Sequence, residues 1–368
     1  MQARLPIPAA PARYETVASY LSRLANLHGM PALELWEPIS TPRPGTNRRD
    51  VIADRLAALV GRAQDHLARA LPELRDPAPD WTAWRHQAQP GCPRCDARHD
   101  GGPVARLLPH HRYVCMRHRY WIGPPDAGQP ATPIDDPQLH DLVRAQRQHV
   151  RVLRRYGAAA AFDAVLTGFL ICGHIWDEWR EEWFETTRRW NHRGHYLIPV
   201  GSETTQFSAS RLFAAVYPEA VAIAELIASP AWRALAAGGA EQQQRFVGEI
   251  GRRLRRPDYQ PREHGDAIAH WIKFDSRQPP SRPHTLFPQT REHGATRPPK
   301  TSPLSLERQQ RSALWFSVNR CGGNVILHHR HLRPVLIRDW SRPMDGIAAT
   351  IWASGTTIAV GVEPAVAG

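Results

Sequence analysis

GCPRCDARHDGGPVARLLPHHRYVCMRHRYWIG, residues 91–123, holds three of the chain's five cysteines together with six arginines and four histidines. Cys92 and Cys95 stand in a Cys-x-x-Cys turn, and Cys115 and His118 form a Cys-x-x-His pair after nineteen intervening residues. Two residues between ligands let one tight turn aim both side chains at a single ion, and the intervening segment closes the loop around it. Thiolate mixed with imidazole suits tetrahedral Zn2+, and four protein ligands leave no position for water or substrate. The expected metal is therefore a single structural zinc, stabilising a segment too polar and glycine-rich to fold on its own core. His99, His110 and His111 lie close enough in sequence to stand in for His118 as fourth ligand. A thioredoxin-like redox pair is disfavoured, because no strand–helix–strand pattern surrounds Cys92 and Cys95.

Charge around this window is one-sided. From Gly101 to Gly123 there are Arg106, Arg112, Arg117 and Arg119 and no acidic residue. Downstream, Arg144, Arg147, Arg151 and Arg154 recur at helical spacing with no acid from Leu142 to Phe162, and Val143, Val150 and Leu153 are expected to pack inward. These eight arginines are the candidate phosphate contacts of a nucleic-acid surface, each contact releasing counterions; the alternative is a solvated helix face. Over the whole chain the net charge is +12 in 368 residues, with a pI near 10.1, which points to an anionic partner. Of 47 basic residues only Lys273 and Lys300 are lysine, and arginine forks phosphate more effectively.

Moving outward, apolar Val17, Leu21 and Leu24 predict a helix ending at Gly29, and Pro31 opens another that carries Leu33, Leu35 and Trp36. This helix, tight turn, helix resembles a DNA-reading shape. A third helix is expected over about Arg49 to Leu71, with Ile52, Leu56, Leu59, Ala63 and Leu67 on one face. Gln138 to Trp190 reads as helical, interrupted near Gly157 and near Cys172-Gly173, with Phe169, Trp176, Trp179, Trp183 and Trp190 as a core stripe. Further helices fill Ser210 to Leu254, with Pro218 and Pro230 at their starts. The stretch from Arg256 to Pro303 reads as a loose linker, and VILHHRHLRPVLI and GIAATIWASGTTIAVGV as short strands. The expected fold is thus mainly α: helix-turn-helix-like N-terminal helices, an embedded zinc knuckle, a helical region and a small irregular or β tail.

RLPIPAAPARYETVASYLSRLANLHGM, followed by CPRC and then CMRH, resembles the TniQ family, in which a Leu-Pro segment and an S-x-L-x-R-L-A helix precede a zinc knuckle of this pattern. AVYPEAVAIAELIASPAWR and GEIGRRL are similar to later parts of actinobacterial members. The resemblance covers the first 160 residues or so and extends more weakly to about residue 256. It implies a transposon target-site adaptor that engages double-stranded DNA and recruits an AAA+ ATPase, which brings in the transposase. It also places the zinc ligands on Cys92, Cys95, Cys115 and His118. The corresponding segments are a TniQ-like domain over 1–160 with its knuckle at about 90–123, a helical domain over 161–256, a linker over 257–303 and a C-terminal segment over 304–368. The second knuckle of some family members has no counterpart here, and the tail after Arg256 matches no family pattern.

Other classes are weaker. Cys172 follows the apolar run VLTGFLI, where a small buried cysteine is ordinary, and the histidines of NHRGH (His192, His195) and of HHRH at 328–331 suit loops or surface better than catalysis. There is no G-x-x-x-x-G-K-[ST] loop and no nucleophile, base and orienting group that can be named together, so a non-enzyme is expected. The competing function is a protein-interaction scaffold, or a zinc-containing DNA-binding regulator with no role in transposition. No run approaches 18 apolar residues and the N-terminus lacks an apolar signal core, so a cytoplasmic protein with no membrane partner is expected, and a homodimer is compatible with the sequence.

Overall fold

The computed structural model describes residues 4–42, 49–79, 84, 88–123, 131–178, 185–198, 209–261, 267–274, 276–277, 315–320 and 323–328. It is mainly helical, and its contacts divide the chain into two compact units, one ending at His110 and one beginning at His111. The stretch 1–160 of the sequence reading contributes to both.

In the first unit, α1 (Val17–His28) is opened by Thr16, whose hydroxyl accepts the Ser19 N–H, and closed by Gly29 at φ 64°. Two further residues lead into α2 (Ala32–Ile39). The single helix expected over Arg49 to Leu71 does not form. A short hairpin pairs β1 (Ser40–Pro42) with β2 (Arg49–Val51), and then α3 (Ala53–Val60) and α4 (Gln64–Ala70) follow as separate helices. Gly61 makes the break: at φ 62° it donates its N–H back to the end of α3, and the Arg62 N–H reaches Ala57 O at 3.1 Å. Leu56, Leu59 and Leu67 are buried as the periodicity predicts, whereas Ala63 is exposed. They pack with Tyr20, Leu21, Leu24, Leu35 and Ile39 in a small core. The unit ends with β3 (Gln89–Pro90), the single turn α5 (Pro93–Asp96) and β4 (Ala105–Arg106), β3 and β4 pairing antiparallel.

The second unit starts with a three-stranded antiparallel sheet, β5 (Val114–Cys115), β6 (Tyr120–Trp121) and β7 (Thr132–Pro133). Helices α6 (His140–Tyr156), α7 (Ala158–Glu178), α8 (Glu185–Leu197), α9 (Ala209–Ala228), α10 (Pro230–Ala236) and α11 (Ala240–Arg253) build the larger core. Gly157, at φ 85°, separates α6 from α7 as expected, but α7 runs unbroken through Cys172-Gly173. Pro230 does begin a helix, while Pro218 lies inside α9, where the burial of Tyr217, Ala220 and Val221 carries the helix past one missing amide bond. Phe169, Trp176 and Trp190 are core residues, and Trp179 and Trp183 lie outside the described residues.

A helix, α12 (Ala267–Phe274), stands within the stretch read as linker, because Ile268 and Trp271 are buried against the helical core. Farther on, β9 (Gly323–His328) takes up the first residues of VILHHRHLRPVLI and pairs with β8 (Trp315–Arg320), a strand the sequence reading missed. The stretch GIAATIWASGTTIAVGV lies outside the described residues. Among the described residues no single helix is long and apolar enough to cross a membrane. The bent pair Arg211–Ala228 and Pro230–Ala236 has the length and composition only together, across an 84° bend.

Candidate metal centre and basic surface

Backbone geometry prepares both halves of the cysteine window. Cys92 caps α5 with extended dihedrals, and its carbonyl accepts the Cys95 and Asp96 N–H groups, each at 2.9 Å, which turns the two thiols toward one point. Asp96 is ion-paired to the Arg106 guanidinium, whose other terminal nitrogen donates to Arg13 O. Gly91 lets Arg106 pass, since a Cβ there would lie 2.4 Å from Arg106 Nε. On the other side Cys115 ends β5, opposite Tyr120 of β6. The Arg119 N–H returns to Cys115 O at 2.8 Å, with Arg119 in the left-handed region at φ 56°. This tight turn places His118 Nδ1 4.0 Å from Cys115 Sγ.

One ligand atom from each of Cys92, Cys95, Cys115 and His118 lies within 4.8 Å of the others. Zinc–ligand bonds of about 2.0–2.3 Å in a tetrahedron put neighbouring ligand atoms roughly 3.5–3.8 Å apart, so the four atoms stand near the spacing such a site uses. Three sulfurs and one imidazole are a zinc-type donor set, and Cys92 is buried while the others are partly exposed. Of the four histidines in the window, the structure brings His118 to the thiols. The His111 ring instead lies edge-on to that of His149, with centroids 6.4 Å apart, and partial burial together with the charges of Arg23 and Arg106 lowers the His99 pKa.

The predicted arginines separate into two kinds. Arg106 is buried and committed to Asp96 and Arg13, so it braces the turn that carries Cys92 and Cys95. Arg112 is half-buried; Arg117 and Arg119 are exposed on the β5–β6 turn, and Arg144, Arg147, Arg151 and Arg154 are all exposed along α6. At about 100° per residue the α6 arginines centre roughly 180° from its buried residues and span about 15 Å along the axis. Those buried residues are Leu142, Ala145, Gln146, His149 and Val152. Val143, Val150 and Leu153, expected inward, are only partly buried. The helix is rotated because two polar residues are spoken for inside. Gln146 bonds the backbone of His111, Tyr113 and Val114, and His149 Nδ1 lies 3.1 Å from Tyr217 Oη.

The sequence reading also missed a buried ion network. Arg193, 1% exposed, bonds Asp141 of α6 and Glu219 of α9, and Arg189 joins it through Asp141 at 2.6 Å. An acid in the first turn of an otherwise basic helix was its one visible sign.

The cysteine and histidines weighed for catalysis have defined surroundings where they are described. Burial first, and then the Glu219 charge, drive the Cys172 thiol pKa well up, so the thiol stays protonated. His192 Nε2 pairs with Asp136 at 2.8 Å, and His195 Nδ1 faces the Arg211 guanidinium. The side chain of His174 and residues 329–331 lie outside the described residues.

No protein-family model, curated protein or solved structure matches the chain.

Proposed function

We propose that the protein is a zinc-stabilised, DNA-associated adaptor of the TniQ kind. The observation that carries this reading is the Cys92–Cys95–Cys115–His118 group within 4.8 Å, carried partly on a hairpin whose strand is bonded to the arginine-faced helix α6. Zinc supplies a closed cross-link and no chemistry on substrate, because all four positions are filled by the chain. Its binding fixes the β5–β6 turn and with it Arg117 and Arg119, while Gln146 ties the same strand to the helix bearing Arg144, Arg147, Arg151 and Arg154. These six exposed arginines contact phosphates, with half-buried Arg112 beside them, and Arg106 does not. Phosphate contacts position a protein without reading sequence, so base readout falls to the α1–α2 hairpin. The resemblance supplies the partners: an AAA+ ATPase and, through it, a transposase.

The test is binding of the purified, zinc-loaded protein to random-sequence duplex DNA over a series of salt concentrations. A linear fall of log affinity with log salt, with a slope of several phosphates, supports direct engagement. Absence of binding at low salt removes the direct contacts and leaves an adaptor or interaction scaffold that reaches DNA only through a partner.

A further inference from the structure

The first unit carries a groove of about 1060 Å³ that the metal centre does not use, lined by Arg13, Asp65, His66, Arg69, Arg75 and Asp76 among others. Three guanidiniums share this lining, and among the described residues no ion pair joins any of them to Asp65, to Asp76 or to another carboxylate. They are nevertheless held in place. Arg75 donates Nε to Ala68 O and Nη2 to Arg69 O at the end of α4, while Arg69 Nε bonds Asp65 O at 3.2 Å. The Arg75 guanidinium also lies 5.2 Å from the centre of the Trp84 ring and 5.8 Å from that of Tyr14, and the Arg13 guanidinium lies 4.8 Å from the Tyr14 ring. Several terminal N–H groups of fixed cations therefore remain without a carboxylate.

The backbone beside the groove is strained. Tyr14 sits at φ 67°, a region aromatic residues rarely adopt, held there by Tyr14 N–H to Ala70 O at 2.7 Å and Leu107 N–H to Tyr14 O at 2.8 Å. Strain of this kind persists where the surroundings impose it and clusters at binding sites. Here it sets the Tyr14 ring under the guanidiniums of Arg13 and Arg75, two of the groove's lining residues.

The geometry points to a binding site for a phosphorylated sugar, either free as a nucleotide or within a nucleic-acid strand. The planar forks of Arg13, Arg69 and Arg75 match phosphate oxygens, which accept two parallel hydrogen bonds. Asp65 and Asp76 on the same lining oppose a bare anion but accept hydrogen bonds from the ribose hydroxyls of a free nucleotide, whereas a DNA strand, with no free hydroxyl on its internal sugars, would engage the arginines alone. Its volume is at the upper end of small-ligand sites and suits a mononucleotide or a short length of backbone. These residues are distinct from those of the α6 surface, and the nucleotide form of the proposal does not rest on the DNA reading.

The experiment uses the full-length, zinc-loaded chain and two probes, ADP by calorimetry and a 20-base-pair duplex by fluorescence anisotropy. Arg13 and Arg69 are exposed, so an R13E/R69E variant should melt like the wild type; if it does not, R13Q/R69Q replaces it. ADP binding that falls at least tenfold in R13E/R69E and is unchanged in R147E/R151E identifies a free nucleotide as ligand. Duplex binding that falls at least tenfold in R13E/R69E, with ADP unbound by any variant, identifies strand phosphates. If neither probe depends on Arg13 and Arg69, the site is refuted, whether or not the wild type binds DNA through α6.

Discussion

Gln146 Oε1 lies 2.8 Å from the Tyr113 amide nitrogen and accepts its N–H, and the same oxygen accepts the Val114 N–H at 2.9 Å. Gln146 Nε2 completes the bracket by donating to His111 O at 2.7 Å. One buried side chain on α6 thus fixes the strand that ends at Cys115, and both main-chain amides depend on it. In Gln146→Leu the two amides lose their acceptor inside the core, at about 1–3 kcal/mol each. The melting temperature should fall by several degrees, and zinc should be lost to a competing chelator sooner than from the wild type. Unchanged zinc retention would show that the hairpin holds its shape without this bracket.

Zinc removal has a local signature. Cys95→Ser, or chelation of the wild-type protein, should take the zinc content from one ion per chain to none and raise hydrogen exchange from Pro90 to Gly123. Cys172→Ser is the control, since Cys172 is buried on α7 and is not one of the four clustered side chains. Full zinc retention in Cys95→Ser would remove Cys95 from the ligand set.

Reversing Arg147 and Arg151 to glutamate leaves the buried face of α6 untouched, because both side chains are exposed. If they touch phosphate, duplex affinity should fall and the slope of log affinity against log salt should shrink by about 2, roughly 0.9 for each lost contact. An unchanged slope returns the stripe to a solvated helix face.

The Cys92, Cys95, Cys115 and His118 cluster was legible because each pair's spacing encodes a local turn, and local turns survive whatever the rest of the chain does. The same holds for Gly29 and Pro230, where one residue's backbone preference sets a helix end. Legibility failed where a tertiary partner decided the outcome. Gln146 and His149 look like surface residues in an arginine-rich helix and are buried because Tyr113, Val114 and Tyr217 await them. Arg106 belongs by composition with the exposed arginines, and only the packing of Asp96 and Gly91 against it shows that it is structural. Gly61 lay in plain view within an apolar pattern that continued on both sides, so periodicity outvoted the glycine.

Glu73 gives the first unit a pH dependence. Burial pushes its carboxyl up to about 8, with neighbouring Glu15 adding to the effect, while its own backbone, the Val17 amide and Arg75 pull the other way. Oε1 accepts the Val17 N–H at 3.1 Å, and Oε2 is buried without a hydrogen-bond partner. The unfolded chain releases this proton near 4.5 and the folded chain near 8, so the folded state binds more protons in between. Stability from this group therefore falls as pH rises from about 4.5 to about 8 and is flat on either side. Glu73→Gln cannot ionise, so its melting temperature should exceed that of the wild type by a few degrees at pH 8 and match it at pH 4.5. Parallel curves across that range would show that the carboxyl is neutral for another reason or already ionised.

Two glycine-to-alanine changes should act in opposite directions. Helix α7 approaches α9 so closely at Gly168 that an added Cβ would lie 2.3 Å from Ala220 O, a backbone atom that cannot swing aside. Gly248, on α11, has nothing within 4 Å of the same position. Alanine is the better helix former by about 1 kcal/mol, so Gly248→Ala should raise stability by up to that amount. At Gly168 the same gain is offset by the displacement of one core helix from another, a cost of about 1–3 kcal/mol, so Gly168→Ala should lower it. Denaturant melts of the two variants read the difference directly. A stabilised Gly168→Ala would mean that α7 and α9 can separate by a few tenths of an ångström without loss of core packing, and that the close approach is not what keeps glycine there.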